Sequence, residues 1–406
     1  MKINPGKTID ELIAAISFVT DLEGDKKIYH AWRVAIIATK LAGLKVKSHK
    51  RKDIFYACLL HDIGGVGLPH HIIHYLQRRD KTSHSILLSH PIIGAQLIWS
   101  IPNMDSPSKF ILDHHEWFNG EGYPRGKMTR EIPLGAQIIR VADFIDINFQ
   151  QSHRQKLNKI SQCIDQASGK EFSRELAKSA NNILKRKKFF NQITKRKNIP
   201  RLFSKTKGTL PGLDIKKGVD AVGMALETFA QVIDMKHPFT AGHSLRVSRY
   251  AMAIGLAMNL AHDEITKLKW AGLIHDIGKL TVSRKILDKP TKLTKKEFKE
   301  VMKHAEMTRK IMQMISTFKN ITPAASSHHE YFNGSGYPKG LKEYRIPLGS
   351  RILCVCDAFD AMTSNRPYRA PLNPQAACRE IQRFSGTQFD PQIVKEAIPI
   401  LKSLSV

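Results

Sequence analysis

Histidine and aspartate are the residues whose placement in this chain could do chemistry. In the C-terminal half they stand at His243, His275, Asp276, His304, His328, His329 and Asp357. A matching set stands in the N-terminal half at His30, His61, Asp62, His90, His114, His115 and Asp143. A single His is ordinarily a satisfied core or surface residue; these stand out because all seven recur with nearly the same spacings. Positions on a solvated helix face drift freely, whereas the ligands of a shared metal centre are each fixed on their element. Imidazoles and carboxylates without thiolates favour first-row divalent ions such as manganese, iron, nickel or zinc, while calcium and magnesium prefer more oxygen. An Asp beside a ligand His can bridge two ions ~3.5–4 Å apart, and such a pair clamps an attacking hydroxide and stabilises phosphoryl oxygens. The chemistry indicated is phosphodiester hydrolysis.

The elements that must position these residues are repeated as well. His114 to Pro124 recurs as His328 to Pro338 with nine of eleven positions identical, at an offset of 214. The same offset relates His61-Asp62-Ile63-Gly64 to His275-Asp276-Ile277-Gly278, and Ile132-Pro133-Leu134-Gly135 to Ile346-Pro347-Leu348-Gly349; the first His pair falls at 213. Ser168 to Phe172 matches Ser385 to Phe389 at 217, so the first copy is three residues shorter after Asp143. Apolar residues at three- and four-residue spacing over His243 to Leu260, Asp263 to Ile277, Lys295 to Ile315 and Leu348 to Met362 predict helices, and nothing alternates as a strand would. The fold class expected is all-α, two tandem helical domains: 1–190, a basic linker over 191–214 that contains Pro200 and Pro211, and 215–406. The Asn-Gly-x-Gly-Tyr-Pro segments are turn chemistry.

At 406 residues, with 42% hydrophobic and 25% charged residues, the chain has the composition of a folded two-domain protein without a membrane-spanning run. The N-terminus lacks a secretory pattern. The five cysteines (Cys58, Cys163, Cys354, Cys356, Cys378) have neither zinc nor redox spacing and suit buried thiols in a reducing cytoplasm. The net charge of +28 is uneven: residues 151–210 hold sixteen Lys and Arg against three Asp and Glu, a net +13. Such a stretch is either a solvated linker or a surface for an acidic protein partner or a second copy. It lacks the interleaved aromatics of a single-strand groove, which argues against nucleic acid.

The C-terminal residues resemble the HD-GYP phosphodiesterases of the HD superfamily. The resemblance covers most of 217–400 through Thr240 to Val247, His275-Asp276-Ile277-Gly278-Lys279, Lys303-His304, His328-His329-Glu330 through Gly336-Tyr337-Pro338, Asp357 to Ser364, Arg366-Pro367-Tyr368-Arg369, and Ser385-Gly386 with Phe389-Asp390-Pro391. It implies two divalent ions, manganese or iron before nickel or zinc. One would be held by His243, His275, Asp276 and Asp357, the other by Asp276, His304, His328 and His329. It implies that His275, Asp276 and Lys279 serve the chemical step, that Lys279, Arg366 and Arg369 grip substrate phosphates, and that Tyr337 shapes the pocket rim or its turn. Members with a third metal carry a Glu where this chain has Phe239, so a dinuclear centre is expected. His237 and Ala305 also depart from the pattern, without touching a ligand.

The activity so implied is hydrolysis of cyclic di-GMP to the linear dinucleotide or GMP. The same chemistry on another 3′,3′-linked cyclic dinucleotide such as cyclic GMP-AMP is the first alternative, and a noncatalytic nucleotide sensor the second. The N-terminal copy keeps its ligand set but has Gly65 in place of Lys279, and its deletion leaves Ser152 and Gln155 near the positions of the Arg-Pro-Tyr-Arg loop. We expect it to hold metal or ligand and to regulate the other copy.

Overall fold

The computed structural model describes residues 3–23, 28–43, 46–67, 81–151, 157–215, 220–237, 241–365 and 370–403. Every regular element among them is helical, and the pairings outside helices are isolated bridges such as Ser168 with Phe172 and Ser385 with Phe389. The first copy runs α1 (Pro5–Thr20), α2 (His30–Ala42), α3 (Ser48–Leu60), α4 (Lys81–Trp99), α5 (Asp105–Asp113), α6 (Leu134–Gln151), α7 (Leu157–Ala167) and α8 (Arg174–Leu184), followed by α9 (Lys187–Ile193) and α10 (Ile199–Lys207). The second runs α11 (Ala221–Met235), α12 (His243–Ala257), α13 (His262–Ile274), α14 (Lys295–Met312), α15 (Thr322–Ser326), α16 (Leu348–Thr363), α17 (Pro374–Arg383) and α18 (Pro391–Ser403). Among the described residues no helix is long and apolar enough to cross a membrane.

The chain forms two compact units, Ile16–Ala221 and Met1–Ala15 with Val222–Val406. The opening turns of α1 thus pack with the C-terminal unit. Thr8 Oγ1 lies 2.7 Å from Thr317 Oγ1, and the Glu11 carboxylate accepts the Ser316 backbone N–H at 2.7 Å. Residues 191–214, expected as a linker, are structured. Phe190, Ile193, Ile199 and Phe203 are buried, and Phe203 stacks on Trp32 of α2 at 4.0 Å and on Phe55 of α3 at 5.4 Å. Pro200 sits in the first turn of α10, where its missing N–H costs nothing.

The helices form where the apolar period demands. In α12 the buried positions His243, Val247, Ala251 and Ile254 lie on one face, so the first site residue opens the stripe that holds the helix in the core. Thr294 and Glu297 close a capping box at the start of α14, which buries His304, Thr308 and Ile311. The helix expected to run through Ile277 instead ends at Ile274. Asp276 leaves helical geometry (φ −98°, ψ 10°), and a tight 3-10 turn follows over Ile277–Thr281. Gly278 explains the turn, because a Cβ there would lie 2.0 Å from the carbonyl oxygen of His304. The glycine lets the His-Asp turn press against the helix that carries His304.

Candidate metal centre

In the C-terminal unit the seven expected residues converge. His275 and Asp276 come from the end of α13, His243 from the start of α12, His304 from α14, His328 and His329 from the turn after α15, and Asp357 from α16. The ligand atoms of His243, His275 and Asp276 all lie within 4.8 Å of one another, as do those of His304, His328 and His329. Asp276 joins the groups. Its Oδ2 lies 3.6 Å from His243 Nε2 and 3.4 Å from His275 Nε2, while its Oδ1 lies 3.4 Å from His304 Nε2 and 3.8 Å from His328 Nε2. Asp357 completes the ring with Oδ1 3.4 Å from His243 Nε2 and Oδ2 3.9 Å from His329 Nδ1.

Hydrogen bonds behind the rings fix which nitrogen faces inward. The Nδ1 atoms of His275, His304 and His328 lie 2.7, 2.6 and 2.6 Å from the carbonyl oxygens of Gly272, Val301 and Ala325. A carbonyl only accepts, so Nδ1 carries the proton and each Nε2 presents a lone pair. His304 Nε2, His328 Nε2 and Asp276 Oδ1 are buried and have no hydrogen-bond partner, and His243 and His275 face each other Nε2 to Nε2 at 3.3 Å. Buried acceptors aimed at one another are costly unless something positive lies between them. The donor set fits divalent cations.

In the metal-free chain the electrostatics separate the histidines. Burial, with the neighbouring histidines and Lys279, holds His304 and His328 down to about 4, so both are neutral donors at pH 7. Burial also opposes charge on His243, but its bonds to Asp276 and Asp360 outweigh this and raise it to about 9. Asp276 stays well below the usual carboxylate range despite burial, because the Lys279 ammonium and His275 stabilise its charge. Lys279 Nζ contacts Asp276 Oδ2 and is a quarter exposed, so the cation stands at the mouth of the site beside the carboxylate that joins the two donor groups. Tyr337 packs its ring on His329 at 4.8 Å, which gives it a share in orienting that residue. Arg366 and Arg369 lie outside the described residues, as do Phe239, Ser152 and Gln155.

Two supporting layers were not singled out from the sequence. Asp360 Oδ2 accepts from His243 Nδ1 at 2.8 Å, and Arg246 donates from Nε to Asp360 Oδ1 at 2.6 Å. His30, Asp146 and Arg33 repeat this triad at 2.8 and 2.6 Å. The signal was available: an Asp three residues after the last ligand and an Arg three after the first, in both copies. The second layer is Glu330, whose carboxylate accepts the backbone N–H groups of Lys339 and Leu341 at 2.7 and 2.9 Å. Glu116 does the same for Arg125 and Lys127. These carboxylates close the loop that follows the paired histidines.

The N-terminal set converges too. Asp62, His90, His114 and His115 form one group and His30, His61 and Asp143 another, each within 4.8 Å, and His30 Nε2 and His61 Nε2 are buried without hydrogen-bond partners. This copy also carries a cation where the second has none. Arg140 occupies the position of Cys354, its Nη1 3.4 Å from Asp143 Oδ2 and its Nη2 bonded to Glu171, which replaces Gln388. The outer carboxylates of the two sites are also shifted in opposite directions. Burial pushes Asp143 up, whereas His243 and His275 hold Asp357 down against its burial.

Residues 25–170 and 227–393 match the model of the HD domain family. The chain belongs to the HD domain family. Among relatives of this HD domain protein, the 3′3′-cGAMP-specific phosphodiesterase 3 of Vibrio cholerae is 32% identical over 295 residues, 71% of this chain and 62% of that protein. The 3′3′-cGAMP-specific phosphodiesterase 1 of the same organism is 28% identical over 368 residues, 88% of this chain and 83% of that one. A cyclic di-GMP phosphodiesterase of Thermotoga maritima is 34% identical over 182 residues, 44% of this chain and 50% of its own length. The crystal structure of the cyclic GMP-AMP-specific phosphodiesterase V-cGAP3 of V. cholerae superposes with a TM-score of 0.66 at 24% identity and covers 98% of each chain, a likeness of fold. Both halves of this HD domain protein thus carry an HD-type donor set, and the second also carries the lysine.

Proposed function

We propose that the chain is a metal-dependent phosphodiesterase that opens a cyclic dinucleotide to its linear form, with the C-terminal unit as the catalyst. The observation that carries this reading is Asp276, which turns one oxygen toward His243 and His275 and the other toward His304 and His328. His243, His275 and Asp357 would hold one divalent ion and His304, His328 and His329 the other, with Asp276 shared; manganese or iron suits the donors first, nickel or zinc next. Such a pair supplies a nucleophile at neutral pH and neutralises phosphoryl charge. Lys279 is placed to meet the scissile phosphate from the open side, and Arg366 and Arg369 are its proposed companions on the ring's phosphates. Asp360 positions His243, and Tyr337 positions His329.

The preferred substrate is 3′,3′-cyclic GMP-AMP. This reverses the order expected from sequence, where cyclic di-GMP stood first. The reversal rests on extent of match: the relatives named for cyclic GMP-AMP align with 71% and 88% of this chain, and the Thermotoga relative named for cyclic di-GMP with 44%. Incubating the manganese- or iron-loaded protein with both dinucleotides and separating the products by chromatography tests the choice. Faster opening of cyclic di-GMP would restore the earlier order, and no opening of either would favour a noncatalytic sensor.

The N-terminal copy, in this proposal, holds a metal or ligand and modulates turnover. Asp276→Ala is expected to abolish hydrolysis and Asp62→Ala to change it no more than a few-fold; equal losses with folding intact would contradict the division. Five free cysteines suit a cytoplasmic setting.

A further inference from the structure

The basic excess of residues 151–210 has a structural destination. α9 and α10 follow α8, the first copy's equivalent of α18. Packed on α2 and α3, they border an open pocket of about 650 Å³. Lys40, Arg51, Arg186 and Lys205 line it, together with Phe189 and Thr206, and among the described residues no carboxylate does. Its size is that of a site for one small ligand.

Three features set this pocket apart from an ordinary solvated basic surface. Arg51 is partly buried and its Nε has no hydrogen-bond partner, so its charge beside the pocket is incompletely matched by the protein. Arg51 also lies in the first turn of α3, a helix with no acidic residue in that turn, where a cation opposes the helix dipole. Local stability therefore does not explain its placement. Finally, the second copy has Ala253 and Ile265 where the first has Lys40 and Arg51, so the cations accompany α9 and α10 and not the fold itself. Lys40 Nζ lies 5.8 Å from the centre of the Phe189 ring, which leaves an aromatic face among the charges. Ten residues of α2 separate Lys40 from His30, about 15 Å along the helix, so the pocket is distinct from the metal centre.

We propose that this pocket is a second ligand site, taking a nucleotide with at least two phosphate charges. The phosphates would sit among Arg51, Arg186, Lys40 and Lys205, and the base against Phe189. The test is calorimetric titration of the full-length, EDTA-treated protein in low salt with GTP, inorganic tripolyphosphate and a single-stranded oligonucleotide as probes. GTP is expected to saturate a site that survives His275→Ala and weakens at least tenfold in Arg51→Gln/Arg186→Gln. The exposed pair Lys40→Met/Lys205→Met should weaken it similarly if the first variant folds poorly. Phe189→Ala should weaken GTP but not tripolyphosphate. Absence of saturable binding, indifference to both cation pairs, equal affinity for GTP and tripolyphosphate, or affinity that rises with oligonucleotide length would each overturn the assignment, the last in favour of a nucleic-acid surface.

Discussion

Replacing Asp360 by Asn removes one negative charge behind His243 and keeps the shape. The carboxylate accepts from His243 Nδ1 at 2.8 Å and from Arg246 at 2.6 and 3.1 Å, and these partners hold its pKa down to about 2 against its burial. Relative to an ordinary Asp that depression corresponds to about 2 kcal/mol of stabilisation of the charged form. An Asn can still accept from the imidazole, but its amide turns N–H toward the guanidinium. Outer partners of metal-bound histidines are typically worth ~10–100-fold in affinity or activity, and Asp360→Asn is expected to fall in that range. Its stability loss should be moderate, because Arg246 is 36% exposed and can rehydrate.

The first copy provides the matched control. Asp146 holds Arg33 and His30 in the same way, but Arg33 is only 5% exposed. Stripping the carboxylate from a buried cation costs ~3–5 kcal/mol, so Asp146→Asn should destabilise its unit more than Asp360→Asn destabilises the other. Its effect on turnover should be small. Differential scanning calorimetry of both variants, metal titration of the EDTA-treated protein and initial hydrolysis rates measure these quantities. Metal affinity within twofold of wild type in Asp360→Asn, or a smaller stability loss in Asp146→Asn, would refute the reasoning.

Lys279→Met is expected to lower turnover ~100-fold with metal content unchanged, the scale of losing one charged donor to a developing phosphoryl charge; rates and elemental analysis decide it. In metal-free protein His304 and His328 are held near 4 against 6.5 when unfolded, so their contribution to stability is present above pH 6.5 and lost as pH falls toward 4. His243, raised to about 9, contributes below pH 6.5 and fades as pH rises toward 9; melting temperature from pH 4 to 9 should therefore fall on both sides, and bound metal should blunt both limbs. Phe203→Ala removes a buried ring stacked at 4.0 Å on Trp32 and is expected to cost the Ile16–Ala221 unit ~3–5 kcal/mol while hydrolysis persists, as calorimetry and rate assays would report.

The donor set was legible because the chain carries its own comparison: seven residues kept at fixed spacing in both halves reveal a shared constraint that one copy would not. The supporting triads carried the same signal, but their meaning depends on a turn of α16 lying behind a ring of α12, contact between residues more than a hundred positions apart. α9 and α10 were hidden for a different reason. Phe190, Ile193, Ile199 and Phe203 supply a short apolar stripe, but the Lys and Arg between them and the proline at the start of α10 mimic a linker until the exposed face of Trp32 is known to need cover.

Arg140 shows what a residue-by-residue tally of losses misses. The first copy lost Lys279's ammonium on one side of the carboxylates and carries a guanidinium on the other, next to Asp143 and Glu171. Both copies therefore keep a cation beside the donor set, and in the second it is held against Asp276, the residue that joins the two donor groups. In the first copy Arg140 Nη1 faces the outer carboxylate Asp143 and its Nη2 is committed to Glu171. At the position that Lys279 holds beside Asp276, the first copy has Gly65. The proposed division of labour rests on where the charge stands more than on how much of it there is.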